Sequence, residues 1–379
     1  MGDIAFLAHR LPYPPDRGDR IRSWHVLKAL AKLAPVHVCA PFDQENDEAF
    51  FKVGEAAQTL HTRRRSVFKL PAMARALRSN TPASVEAFRV AKLQADVRHV
   101  LQTQQIDIIY AFSSQMAAYV PADFGGRFVM DFVDMDSAKF AAMGFAGRQE
   151  AKRLLAWEIA TAKRADVSLF VSDAEAALFE RTTGLSAHVM GNGIDLDHFA
   201  PDAVTAIDTP QPLIVFTGQM DYAPNVDAVT RFARETLPKI QSAIPGATFA
   251  IVGRAPSAAV KALARPSVIV TGEVPDTRPW LAAASVVVAP LRIARGVQNK
   301  ILEAMAMGRP CVVSASAAQG IDAADGRDFV VADDATDAVI ALLQDRSRAT
   351  AIGSAARECM VASYSWSTQL APLAGYVGL

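Results

Sequence analysis

Residues 286–310 read Val-Val-Val-Ala-Pro-Leu-Arg-Ile-Ala-Arg-Gly-Val-Gln-Asn-Lys-Ile-Leu-Glu-Ala-Met-Ala-Met-Gly-Arg-Pro. The run Val286–Ala289 is wholly apolar, the pattern of a parallel strand covered on both faces. It stops at Pro290, a loop containing Gly296 follows, and apolar residues then recur at helical spacing over Asn299–Met307. A strand, a glycine-bearing loop and a helix in that order point the leading amides of the helix at the loop, where they favour an anion. Lys300 and Glu303 fall on one face of this helix. A cation there suits a phosphate, and a carboxylate can accept from ribose hydroxyls. A surface ion pair on an ordinary amphipathic helix has the same spacing.

Further strands flank this unit. Leu213–Thr217, Thr248–Val252, Val268–Thr271, Cys311–Ser314 and Phe329–Ala332 belong to the same series, separated by helical patterns at Asn225–Ile240, Ala258–Ala264 and Thr336–Leu343. An earlier series comprises Ile4–Ala8, Val36–Ala40, Ile106–Phe112, Phe128–Val133 and Val167–Val171, with helices expected at Ser23–Leu33, Val85–Gln104 and Arg148–Ala165. Between the series, Met190–Pro212 carries Gly191, Gly193, Pro201, Pro210 and Pro212 and reads as a linker. Alternating β and α elements predict open parallel sheets with right-handed crossovers. The expectation is therefore an α/β chain of two Rossmann-like domains facing each other across a cleft, with ligands beyond the carboxyl ends of the strands.

Composition narrows the chemistry. The 379 residues are 51% hydrophobic, enough for two packed cores. Lys plus Arg and Asp plus Glu are both 39, a balance that speaks against nucleic acid as a partner. Cys39, Cys311 and Cys359 are too few and too scattered for a zinc knuckle or a disulfide framework, which fits a reducing, cytoplasmic setting. The start lacks a signal-peptide core, and no window reaches the roughly 20 apolar residues of a spanning helix. Ser113-Ser114 lacks the nucleophile-elbow glycines. Asp134-Met135-Asp136, after a strand, would be a metal motif in a single-sheet nucleotide domain. In a two-sheet chain an acceptor-side or helix-capping role is expected instead, so no metal is assigned. Of the seven histidines only His9, at the end of the first strand, falls at the expected cleft.

The segment 289–310 resembles the donor-site signature of the GT-B-fold retaining glycosyltransferases of glycosyltransferase family 4. Asn192-Gly193-Ile194-Asp195-Leu196-Asp197-His198-Phe199-Ala200-Pro201 is similar to that family's interdomain segment, and Tyr364-Ser365-Trp366 to its terminal crossing. The opening Pro12-Tyr13-Pro14-Pro15-Asp16-Arg17-Gly18-Asp19-Arg20-Ile21-Arg22 is similar to a branch associated with exosortase (PEP-CTERM) exopolysaccharide clusters.

The resemblance implies an acceptor-side domain at 1–195, a nucleotide-sugar domain at 196–363, and a C-terminal helix at about 364–379 packing back on the first. It makes Glu303 the ribose-binding glutamate. Its companion eight positions earlier is replaced by Arg295, which with Lys300 and Glu303 forms the expected catalytic group. Gly18, Gly218, Gln219, Arg254, Val274, Arg292, Gly296 and Val297 complete the donor-side candidates. The family's arginine after Gly218 is here Gln219, and its nearby lysine is missing from 220–225. His9, Asp134 and Asp136 are the acceptor-side candidates.

The implied reaction moves a sugar, with retention, from a nucleotide-diphosphate donor to a glycan or lipid-linked acceptor, without a bound cofactor. A sugar-nucleotide epimerase and a non-catalytic binding scaffold share the same layout. Residues 56–85 contain no Asp or Glu but carry Arg63, Arg64, Arg65, Lys69, Arg75 and Arg78 among apolar residues. That mixture predicts peripheral contact with an anionic bilayer at the inner face of the plasma membrane.

Overall fold

The computed structural model describes residues 2–65, 75–76, 81–141, 145–294 and 296–379. Two compact units emerge, one of Met1–Gly191 with Leu370–Leu379 and one of Asn192–Gln369. The first contains a seven-stranded parallel sheet of β1 (Asp3–Ala8), β2 (Val36–Phe42), β3 (Thr59–Arg64), β4 (Ile106–Phe112), β5 (Arg127–Val133), β6 (Val167–Phe170) and β7 (His188–Val189), in the order β3-β2-β1-β4-β5-β6-β7. The second contains a six-stranded parallel sheet of β8 (Leu213–Thr217), β9 (Thr248–Val252), β10 (Val268–Gly272), β11 (Val286–Ala289), β12 (Cys311–Val313) and β13 (Val330–Val331), in the order β10-β9-β8-β11-β12-β13. In each sheet the winding direction reverses beside the first strand, between β1 and β4 and between β8 and β11. Loops part there, and ligands of doubly wound sheets sit at such points.

The central strands are buried on both faces, which is why they read as unbroken apolar runs. Phe6, Leu7 and Ile109 are fully buried in the first unit, and Ile214, Val215, Phe216 and Ile251 in the second. Two edge strands escaped the sequence pattern. β3 (Thr-Leu-His-Thr-Arg-Arg) is half-buried to exposed along its length, and β7 has only two residues. The helix expected over Val85–Gln104 is two helices, Ala83–Glu86 and Ala91–Thr103. The break is held by Tyr119, whose hydroxyl donates to Phe88 O at 2.6 Å and accepts from Val90 N–H at 2.8 Å. The helix expected from Ser23 starts earlier, at Gly18.

The division between the units falls at Gly191/Asn192 and at Gln369/Leu370, displaced from the expected boundaries at 195 and 364. Local bonding accounts for the shift. Ile194 N–H donates to Tyr364 O at 2.7 Å, and Ile194 bridges Ser365, so both crossing segments are stitched into the second unit. The last helix, Leu373–Val377, belongs to the first unit, where Arg127 Nε donates to Tyr376 O at 2.7 Å.

Candidate donor site and the rim of the first unit

β8 ends at Thr217, and the chain turns through Gly218 at φ +154°. A Cβ here would stand 2.9 Å from Asn225 Nδ2 and 3.1 Å from Lys300 Nζ, so glycine keeps the loop open to both. At Gly253, after β9, a Cβ would stand 1.7 Å from Gly218 O, which only glycine tolerates. Asn225, buried at the start of the Ala223–Arg231 helix, donates from Nδ2 to Gln219 O at 2.9 Å. Its Oδ1 accepts from Lys300 Nζ at 2.6 Å. The same ammonium lies over the Phe216 ring, 4.3 Å from its centroid.

Lys300 and Glu303 come from the Asn299–Ala306 helix, which follows an extended Gln298 whose side chain makes no capping hydrogen bond. Both residues are half-buried. Burial pushes the Glu303 carboxyl up to about 7 against the pull of Lys300. Burial likewise pushes the Lys300 ammonium down to about 8 against the pull of Glu303. No hydrogen bond to the Glu303 carboxylate is formed among the described residues. An acceptor and a cation are thus held on one helix face at the ends of β8 and β11, as the ribose and phosphate groups of a nucleotide require.

The other donor-side candidates divide. Gln219 and Arg254 meet, Arg254 Nη2 donating to Gln219 Oε1 at 3.3 Å. Gly296 turns the loop at φ +62°, its carbonyl accepting from Gln298 Nε2 at 3.2 Å. Val274 and Val297 pack against the core of the second unit, and Arg292 is exposed. Arg295 lies outside the described residues. Gly18 belongs to the other unit, where it opens the Gly18–Leu30 helix after an extended Arg17. Asn225 and Phe216 were not anticipated. Asn225 read only as a helix start and Phe216 only as strand core.

The acceptor-side candidates lie on the C-terminal rim of the first sheet. His9 is 8% exposed, with its ring stacked on Phe112 at 5.7 Å. Its Nε2 meets Asp19 Oδ2 at 3.1 Å, while Nδ1 is buried without a hydrogen-bond partner among the described residues. Burial pushes the imidazole below its ordinary pKa despite Asp19. Burial also opposes the Asp19 charge, but His9 and Arg10 outweigh it and hold that carboxyl well below the carboxylate range. Asp134 accepts from Lys139 Nζ. Asp136 accepts from Gln115 Nε2 at 3.1 Å and Ser114 Oγ at 3.3 Å, and Lys139 Nζ is 3.8 Å away.

Beneath this rim lies an unforeseen group. Arg22 is fully buried and donates to Asp131 at 3.1 and 3.2 Å and to Gly191 O at 3.0 Å, while Tyr110 OH donates to Asp131 at 2.7 Å. Arg22 shares its helix face with the buried Val26, Leu27 and Leu30, and only its charge kept the position from reading as internal.

Comparison with known proteins agrees with this architecture. Residues 211–345 match the family model described as "Glycosyl transferases group 1". The matched segment lies within the second unit. Over 246 residues the chain is 28% identical to the GDP-mannose-dependent alpha-(1-6)-phosphatidylinositol monomannoside mannosyltransferase of Mycobacterium tuberculosis. The alignment covers 56% of this chain and 61% of that relative, so it spans about three fifths of the relative's length.

Among solved structures, sucrose-phosphate synthase from Thermosynechococcus elongatus superposes with a TM-score of 0.70 at 18% identity, covering 99% of this chain and 98% of that one. WaaG, a glycosyltransferase involved in lipopolysaccharide biosynthesis, gives 0.69 at 16% identity, covering 99% and 100%. Anabaena HepE in complex with UDP and glucose gives 0.67 at 16% identity, covering 99% of both chains. The two parallel Rossmann-like sheets are those of the GT-B fold.

Proposed function

We propose that this chain is a nucleotide-sugar-dependent glycosyltransferase of the retaining type, with the donor held by the Asn192–Gln369 unit. The observation that carries this reading is the Lys300–Glu303 pair above Gly218. Asn225 and Phe216 fix the ammonium, and among the described residues no side chain or backbone group hydrogen-bonds the Glu303 carboxylate. The departing diphosphate needs charge stabilisation, which Lys300 and the leading amides of its helix supply. Glu303 accepts from the ribose hydroxyls.

The acceptor falls to the rim formed by His9, Asp134 and Asp136. A lipid-linked acceptor fits the likeness to a relative named for a phosphatidylinositol mannoside acceptor, and a place in exopolysaccharide assembly rests on the resemblance of residues 12–22 alone. Approach to such an acceptor at a bilayer is proposed through residues 56–85. Lys69 and Arg78 lie outside the described residues.

A calorimetric panel of nucleoside diphosphates and their sugars tests the donor assignment. One nucleoside diphosphate should bind, and Glu303→Ala should weaken it by roughly tenfold or more, because a charge-assisted hydrogen bond contributes about 1.5–3 kcal/mol. Undiminished affinity in that variant removes Glu303 from the site. Incubation with the donor sugar alone separates transfer from epimerisation, since an epimerase converts its substrate without an acceptor.

A further inference from the structure

A charge is missing where the resemblance expects one, and the fold supplies it from a neighbouring strand. Gln219 occupies the position of the expected arginine and cannot neutralise a diphosphate. Its surroundings can. Gln219 Oε1 accepts from Arg254 Nη2 at 3.3 Å, and its Nε2 donates to Asp221 Oδ1 at 2.7 Å. Its backbone oxygen accepts from Asn225, whose own oxygen holds Lys300 Nζ.

We infer that Arg254, carried on the loop after β9 and oriented by Gln219, is the second cation for the donor diphosphate and acts beside Lys300. The inference rests on the glycosyltransferase reading above and assigns the leaving-group charge within it.

Three features support the assignment. First, neither Arg254 nor Lys300 has a carboxylate within 4.0 Å among the described residues, whereas Arg231 and Arg278 of the same unit are paired. A cation without a carboxylate partner, at the end of the central strands of a doubly wound sheet, suits an anionic ligand. Second, the loop bearing Arg254 is fixed rather than loose. Met220 N–H donates to Arg254 O at 2.9 Å, Ser257 N–H donates to Met220 O at 3.1 Å, and Gly253 packs on the Gly218 carbonyl. The adjoining Ala255 is held at φ +54°, a conformation that alanine adopts only under constraint. Third, the neutral amide of Gln219 can accept from Arg254, which an arginine at 219 would repel. The two positions are therefore alternatives for one charge.

Moving the charge between those positions is the test. Calorimetry with the nucleoside diphosphate that the wild type binds best, with its parent nucleoside and with inorganic pyrophosphate is run on wild type, Arg254→Gln, Gln219→Arg and the double variant Gln219→Arg/Arg254→Gln. Arg254→Gln should weaken the diphosphate and pyrophosphate by roughly tenfold and leave the nucleoside within about twofold. The double variant should regain most of that loss, which a merely structural role for Arg254 would not produce. Unchanged diphosphate affinity in Arg254→Gln, an equal loss for the nucleoside, or no recovery in the double variant overturns the assignment. A wild type that binds no nucleoside diphosphate overturns the glycosyltransferase reading itself, a result distinct from these.

Discussion

Lys300 and Glu303 share a surface where each is costly to charge, so donor binding should depend on pH in two directions. With Glu303 at about 7, acidification below that value protonates the carboxylate and removes the ribose acceptor. With Lys300 at about 8, alkalinisation above that value removes the phosphate cation. Affinity for a nucleoside diphosphate should therefore peak between these values and fall on both sides, as measured by calorimetry across the range. Lys300→Arg should abolish the alkaline fall, because a guanidinium stays charged. Glu303→Gln should abolish the acid fall at lower overall affinity. A flat profile in the wild type would remove both residues from the binding step. These two residues were legible in the sequence because they stand three apart on one helix. Arg254 was named from the resemblance, but Asn225 was not, because only the pairing of β8 with β11 brings the helix after β8 against Lys300.

Among elements, the Phe145–Ala162 helix supplies the anchor for the short Asp136–Ala141 helix. Glu158 on the first accepts from Ser137 N–H at 3.0 Å and from Ser137 Oγ at 2.5 Å. Glu158 is 1% exposed, and burial pushes its carboxyl up to about 7 against the Ser137 hydrogen bonds. The folded protein thus holds a proton that the unfolded chain releases above the ordinary carboxylate range. That contribution to stability is complete at low pH and is lost as pH rises through about 7. Glu158→Gln should remove this slope and gain on the wild type between mildly acid and mildly alkaline pH by on the order of 1–3 kcal/mol. Denaturation midpoints of both proteins at the two pH values read the difference, and parallel shifts would refute it. Central strands were legible from unbroken apolar runs. The edge strand β3 was not, because its basic, half-exposed sequence satisfies a membrane pattern as well as a sheet edge, and edges carry such charge to discourage further pairing.

Over the whole molecule, positive and negative side chains balance at 39 each, so attraction to a surface must come from local charge. Among the described residues no helix is long and apolar enough to cross a membrane. Several arginines of the basic segment are already engaged. Arg63 meets Asp96 at 2.8 Å, Arg65 forks onto Asp43 at 2.8 and 2.9 Å, and Arg75 meets Glu86 at 3.3 Å. Arg64 is exposed and has no carboxylate within 4.0 Å among the described residues. Arg64→Ser should therefore lower co-sedimentation with anionic vesicles without loss of stability, and added salt should weaken the wild type. Equal recovery with neutral and anionic vesicles would discard the electrostatic anchor. The docking of Leu373–Val377 on the first unit sets an order of assembly at the ribosome. Residues 192–369 form one unbroken stretch and can close as soon as they emerge. The unit of residues 2–191 must wait for residues 370–379, where Tyr376 meets Arg127 and Val189. Residues 2–191 are thus synthesised before the second unit but completed after it, and a nascent chain released short of residue 370 would leave them open to proteases and chaperones.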